Sequence, residues 1–251
     1  MFLRIKNIPK LSWSSKSPTN LKPSLKTLSC LCLGLVFFGF GEGLLIVSGI
    51  GASPWNVLHQ GIAINLGLSI GTIAFLVSFL VLLLWFFLEQ KIGIGTIVNF
   101  IIIAIMIDVT IYFFEKPETI FLQFILILVG IFIIGFGTAM YLIANLGAGP
   151  RDGLMTGLQK KTKSPIALVR VSIEIFVVLL GWFLGGIVGI GTLLFAFGIG
   201  PAVALGLLFF AKNIEPNQYF FQFLLTVLLP GRQEYPTRFL VARHMLQGIT
   251  G

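Results

Sequence analysis

Only 10% of the 251 residues are charged, yet two of the charges stand side by side in LGAGPRDGLMTGL, where Arg151 and Asp152 follow a proline. An earlier stretch, IGASPWNVLHQGI, has the same frame: Gly-Ala-x-Pro, a leucine four residues after the proline and a glycine seven after it. Its polar set differs, with Ser53, Trp55, Asn56 and His59. A guanidinium can clamp a carboxylate or phosphate, an imidazole or carboxylate can carry a proton, and an indole can stack. Pro54 and Pro150 suit the first turn of a helix, where a missing N–H costs nothing, which makes Ser53 and Gly149 the N-caps. The N–H groups exposed at such a start, with the helix dipole, attract an anionic group or a carbonyl. Ser53, Trp55, Asn56, His59, Gly149, Arg151 and Asp152 are therefore the candidate substrate-binding residues. The alternative is a pair of tight elbows with lipid-headgroup contacts, in which Arg151 and Asp152 pair with each other at the inner interface.

Four more ionisable residues sit within or near apolar runs, and they are the candidates for an ion or proton relay or a gate: Glu42, Asp108, Arg170 and Glu174. Arg170 and Glu174 are four apart, so they share a helix face and can form an ion pair. An unpaired charge at mid-bilayer costs roughly 2.5–3.5 kcal/mol, so mutual pairing is the economical arrangement, whether structural or part of a relay. Asp108 lies near one end of its apolar run and reads equally as an interfacial carboxylate. Glu42 has no charged neighbour in sequence; Arg151 and Arg170 are its candidate partners across a bundle. No H-E-x-x-H or Walker pattern appears. Of the two histidines, His244 lies in the C-terminal tail, so His59 alone cannot build a histidine metal centre. No enzyme activity, metal or cofactor is expected, and the glycines of GFGEG read as close-packing residues.

These residues need a frame, and composition indicates which. Soluble domains carry roughly 25% charged residues, whereas this chain is 57% hydrophobic with mean hydropathy +1.01. It is expected to be embedded in a lipid bilayer. The net charge of +8 is uneven: Arg4, Lys6, Lys10, Lys16, Lys22 and Lys26 all precede the first long apolar run. Such clustering reads as cytoplasmic anchoring, not as a basic folded surface for nucleic acid. Cys30 and Cys32 are too close to staple a fold and read as packing residues. Six segments are long enough to span: about Leu28 to Ser48, Ile70 to Leu88, Thr96 to Phe114, Thr119 to Leu146, Pro165 to Leu184 and Thr192 to Ala211. The segments opened by the two motifs, Pro54 to Leu66 and Pro150 to Lys161, reach only some 18–20 Å against a core of roughly 30 Å. With the basic N-terminus inside, six spans place Lys91, Lys160, Lys161, Lys163 and Lys212 inside and leave Lys116 outside beside two glutamates, in keeping with the positive-inside rule. Eight spans would also place the Lys160 cluster inside.

The chain is internally duplicated. At an offset of 96 residues, Gly39 to Ile62 matches Gly135 to Leu158 at eight of 24 positions, and GIGT at Gly93 to Thr96 recurs at Gly189 to Thr192. An odd number of spans per unit makes the second unit enter the membrane from the opposite side, as in many secondary transporters. The expected fold is an all-α polytopic membrane helix bundle: six transmembrane helices in two inverted three-helix repeats, each with a short re-entrant half-helix. The expected organisation is a basic disordered cytoplasmic arm (1–27), membrane repeat 1 (28–114), membrane repeat 2 (119–211), and an interfacial segment with a polar cytoplasmic tail (212–251).

At IGASPWNVLHQG, LGAGPRDGLMTGL and GWFLGGIVGIGTLLFAFGIGP the chain resembles the YczE-type bacterial integral membrane proteins, related to the broader YitT group. The resemblance covers about Gly34 to Gly206. It implies a multi-pass plasma-membrane protein without settling an activity. Members of this group typically carry Asp after Pro-Trp; Asn56 stands there here, which weakens any two-carboxylate coupling scheme. The functional expectation is a permease for a small polar or anionic solute, with Arg151 as anion contact, Asp152 and His59 as proton sites, both termini cytoplasmic, and a homo-oligomer compatible with it. The alternative is a non-transporting membrane scaffold that supports a partner enzyme or regulator through the basic arm.

Overall fold

The computed structural model describes residues 8–211, and every regular element among them is a helix. In chain order these are α1 (Leu25–Ser48), α2 (Pro54–Leu66), α3 (Ile70–Phe87), α4 (Ile94–Phe113), α5 (Ile120–Ala144), α6 (Pro150–Thr162), α7 (Ile166–Phe183) and α8 (Ile190–Ala211). Six of them are long and apolar enough to cross a membrane. The two motif helices, α2 and α6, have 13 residues each, about 20 Å. The six long helices coincide with the apolar segments, their ends moving by at most three residues, as where α1 begins at Leu25 instead of Leu28. That shift has a local cause: the Ser24 hydroxyl accepts the Thr27 N–H at 3.2 Å and fixes the start one turn earlier.

α1 is the central helix, packed between α5 and α4; α8 packs on α5, α2 on α7, and α6 on α3. The α1–α5 seam is lined by small residues. A Cβ at Gly34 would stand 2.8 Å from the Gly137 carbonyl, and one at Gly41 would stand 2.7 Å from the Gly130 carbonyl. Backbones this close are the usual way for helices to gain van der Waals contact where no hydrophobic force drives association. The sides of the long helices are largely apolar: on α7 Ile166, Leu168, Val171, Ile175, Phe176, Leu179, Trp182 and Phe183 are exposed. An exposed apolar surface of this extent belongs in lipid.

The two halves of the duplication brace each other. The Gly95 N–H, at the start of α4, donates to the Leu146 carbonyl at 2.8 Å, just before the α6 motif. At the same 96-residue offset the Gly191 N–H, at the start of α8, donates to the Ile50 carbonyl at 2.9 Å. Each GIGT therefore holds the Gly-Ala-x-Pro turn of the opposite half. The turns need glycine: Gly51 has φ +127° and Gly147 has φ +121°, a region closed to side-chain-bearing residues.

The sequence predicts a disordered arm over 1–27, but residues 8–24 lie against the bundle. Trp13 packs against two core clusters, one that includes Leu31 and Tyr141 and one that includes Ala139. The Ser15 N–H donates to the Ala144 carbonyl at 3.1 Å, and the Asn145 side chain donates back to the Ser15 carbonyl at 2.9 Å. Lys and Ser content suggests a solvated arm, but a tryptophan, one backbone bond and one side-chain-to-backbone bond tie it down. The expected interfacial segment and tail, 212–251, lie outside the described residues, as do residues 1–7.

Candidate functional site

The starts of α2 and α6 meet around Glu42 of α1. Glu42 is 1% exposed. Its Oε2 accepts the Ser53 hydroxyl at 2.6 Å and the Asn56 Nδ2 at 2.7 Å. Its Oε1 faces Arg151 Nη1 at 3.6 Å, an ion pair longer than a hydrogen bond. Two unit charges at 3.6 Å attract by roughly 4–5 kcal/mol at an effective dielectric of about 20, an amount that desolvation of both groups offsets. The Arg151 guanidinium lies over the Trp55 ring, 5.3 Å from its centroid, within cation–π range. Ser53 is the N-cap residue of α2 and Gly149 that of α6, as the prolines require. Ser53, however, gives its hydroxyl to Glu42 and makes no side-chain cap.

Hydrogen-bond polarity runs in one direction through the cluster. An ionised carboxylate only accepts, so Asn56 must present its NH2 to Glu42 and its carbonyl oxygen to His59. His59 Nδ1, 3.0 Å from Asn56 Oδ1, then carries the hydrogen. That leaves His59 Nε2 as a bare acceptor, and among the described residues it has no partner although the residue is fully buried. The indole N–H of Trp55 is also buried without a partner among the described residues. Unmet buried polar atoms are rare in native interiors. Here one donor and one acceptor lie beside a guanidinium.

The Arg151–Asp152 pairing expected of a plain elbow is not what forms. Arg151 turns to Glu42, while Asp152 accepts the phenol O–H of Tyr141 on α5. Two residues of this shell carry no signal in the sequence. Tyr141 sits in an unbroken apolar run, and Trp85 of α3 donates its indole N–H to the Pro150 carbonyl at 3.0 Å. Gly153 is the reason α6 can lie there, since a Cβ would run into the Trp85 ring. Gly149 faces Asn99 of α4: a Cβ there would stand 3.2 Å from the amide.

The remaining candidates stand apart. Arg170 and Glu174 do pair, Nε to Oε1 at 2.8 Å, but Arg170 is half exposed, and among the described residues no hydrogen bond or ion pair links them to Glu42. Asp108 accepts the Ser69 hydroxyl at 2.6 Å and the Gly71 N–H at 2.7 Å, so it caps the start of α3. The stretch GLSIG at 67–71 has the G-x-S-x-G spacing of a nucleophile elbow. Ser69 there follows a helix instead of a strand, and its hydroxyl goes to Asp108, with no histidine bonded to it among the described residues. It is a helix cap.

No solved structure matches the chain. Over 196 residues it is 45% identical to an uncharacterized protein of Haemophilus influenzae, covering 78% of this chain and 89% of the relative. It is 32% identical over 165 residues to the uncharacterized membrane protein YczE of Bacillus subtilis, covering 65% and 77%. A second B. subtilis relative, the uncharacterized protein YyaS, is 31% identical over 169 residues, covering 64% and 83%. The family of unknown function DUF6198 matches residues 25–207, a span that contains every residue of the Glu42 cluster. With six helices fit to cross a bilayer and a membrane protein among its relatives, this chain is a multi-pass integral membrane protein of the YczE type and belongs to the DUF6198 family.

Proposed function

We propose that this protein is a secondary transporter, a permease for a small polar or anionic solute, working by alternating access around the starts of α2 and α6. The observation that carries this reading is the convergence of two duplicated, interrupted helices on one buried ion pair, Glu42–Arg151. Broken helices at matching positions of two repeats are the usual sign of a midplane binding site. Charges are kept within a bilayer only where something repays their cost. The repeats are read as inverted. Three long helices per repeat give odd parity, and each short helix lies beside the connection between long helices of the other repeat. Gln60 of α2 accepts the Ile187 N–H at 3.1 Å, and Asn65 donates to the Leu184 carbonyl at 2.7 Å. Thr156 of α6 reaches Gln90. In this arrangement Arg151 contacts the anion, Trp55 and His59 supply the spare donor and acceptor, and rocking of the repeats exposes the cluster to one side at a time. The ion pair Arg170–Glu174 is a gate on α7.

Uptake into proteoliposomes tests the reading. The purified chain is screened with labelled small carboxylates, phosphate and zwitterions, beside Arg151→Ala, with flux expressed per folded molecule counted by monodisperse elution at a temperature well below the variant's melt. Saturable flux that disappears in the variant supports a permease. Flux with none of them, together with a cellular phenotype on deletion of residues 1–24, favours a non-transporting scaffold.

A further inference from the structure

We infer that the solute is a small monocarboxylate and that it moves with one proton, carried on Glu42 Oε1. This rests on the permease reading and adds the coupling ion to it.

The cluster is charge-balanced before any solute enters. Glu42 supplies one negative and Arg151 one positive charge, 3.6 Å apart. Among the described residues the other titratable groups at this point are His59 on α2, Tyr141 on α5 and Asp152 on α6; on α7, Arg170 acts on Tyr141 but is neutralised by Glu174, and on α4, Asp108 is occupied by Ser69 and Gly71. Lys116 approaches α1 only at Gly49, two turns beyond Glu42. Asp152 is exposed and bonded to Tyr141, so it is a solvated charge. A carboxylate arriving on Arg151 and the Trp55 N–H leaves one uncompensated negative charge in a low-dielectric interior, which must be neutralised or left at high cost.

Glu42 has one oxygen free to be neutralised. Oε2 is held by two donors, and among the described residues Oε1 has only the distant guanidinium. A proton from water that forms an O–H on Oε1 restores neutrality and leaves Arg151 to the solute. Nothing is oxidised or reduced, and the proton leaves with the anion on the opposite side. His59 Nε2 is the rival acceptor, but a proton there would place a fully buried imidazolium against an arginine. A carboxylate whose neighbour also donates a hydroxyl, such as lactate, satisfies the spare His59 acceptor as well.

Two measurements on the full-length chain in lipid nanodiscs test this. The first needs no ligand: Arg151→Ala, with Arg151→Gln as second variant, mimics withdrawal of the guanidinium. Infrared spectra at neutral pH are expected to show a protonated-carboxyl band absent from the parent and removed again by adding Glu42→Gln. No such band in either variant overturns the proton site. The second is titration calorimetry with sodium acetate and sodium lactate in buffers of different ionisation enthalpy. About one proton should be taken up per anion bound, with affinity rising roughly tenfold per unit fall in pH. E42Q should bind without proton uptake, and His59→Gln should leave the uptake intact. Uptake lost in His59→Gln, or retained in E42Q, overturns the assignment to Glu42. An infrared band with no anion bound would leave the proton site standing and refute the monocarboxylate.

Discussion

Arg151 and Trp55, each one residue past the proline of its own motif, stack on one another with the guanidinium 5.3 Å from the ring centroid. Corresponding positions of a duplicated element thus meet face to face, and Glu42 lies beside both.

Arg151→Ala leaves buried Glu42 without its counter-charge, so that folding must bear either an unpaired charge or the protonation that removes it. The substitution should cost roughly 3–5 kcal/mol, the range for breaking a buried pair from one side. Arg151→Ala with Glu42→Gln should cost markedly less, because the orphaned charge is gone. Unfolding of all four members of the cycle in detergent measures this; strictly additive losses would show that the pair is not coupled.

The motif turns should be equally intolerant in both halves. A Cβ at Gly51 would stand 2.7 Å from the Thr192 N, and one at Gly147 would stand 2.7 Å from Thr96 Oγ1, both at strongly positive φ. Gly51→Ala and Gly147→Ala should each lose about 1–3 kcal/mol from backbone strain, plus the clash. Gly67 also has positive φ but nothing within 4 Å, so Gly67→Ala should cost only the left-handed penalty of about 1–2 kcal/mol. Melting temperatures of the three variants rank them.

The inverted arrangement proposed for the repeats would put the ends of α2 and α6 on opposite sides of the membrane. Single cysteines at Leu68 and Thr162, in a chain lacking Cys30 and Cys32, should react with a membrane-impermeant thiol reagent from opposite faces of right-side-out vesicles. Labelling of both from the same face would refute the inverted arrangement and the permease reading with it.

Asp108→Ala removes the acceptor for the Gly71 N–H and the Ser69 hydroxyl. A lost cap costs about 1 kcal/mol, so stability should fall while uptake per folded molecule holds. A collapse of uptake with unchanged stability would move Asp108 into the transport site.

Much of the frame could be read directly from the chain. The six long helices and the starts of α2 and α6 follow from local physics: the length of an apolar run, a proline that tolerates the first turn, and a serine or glycine before it. The pairing of Arg170 with Glu174 is equally local, four residues apart on one helix. The duplication was visible too, though the use of its GIGT was not: Gly95 N–H and Leu146 O belong to different halves and meet only when the halves pack.

Tertiary structure alone decided who neutralises whom. Glu42 had two candidate partners and took Arg151; Arg151 had an acidic neighbour and turned from it; Asp152 found a tyrosine inside an apolar helix. A buried polar group takes whichever complementary partner the packing brings within about 3 Å, because leaving it unmet costs more than any sequence proximity offers. The same rule tied Ser15 and Trp13 of a basic arm to the bundle where composition alone predicted a solvated chain.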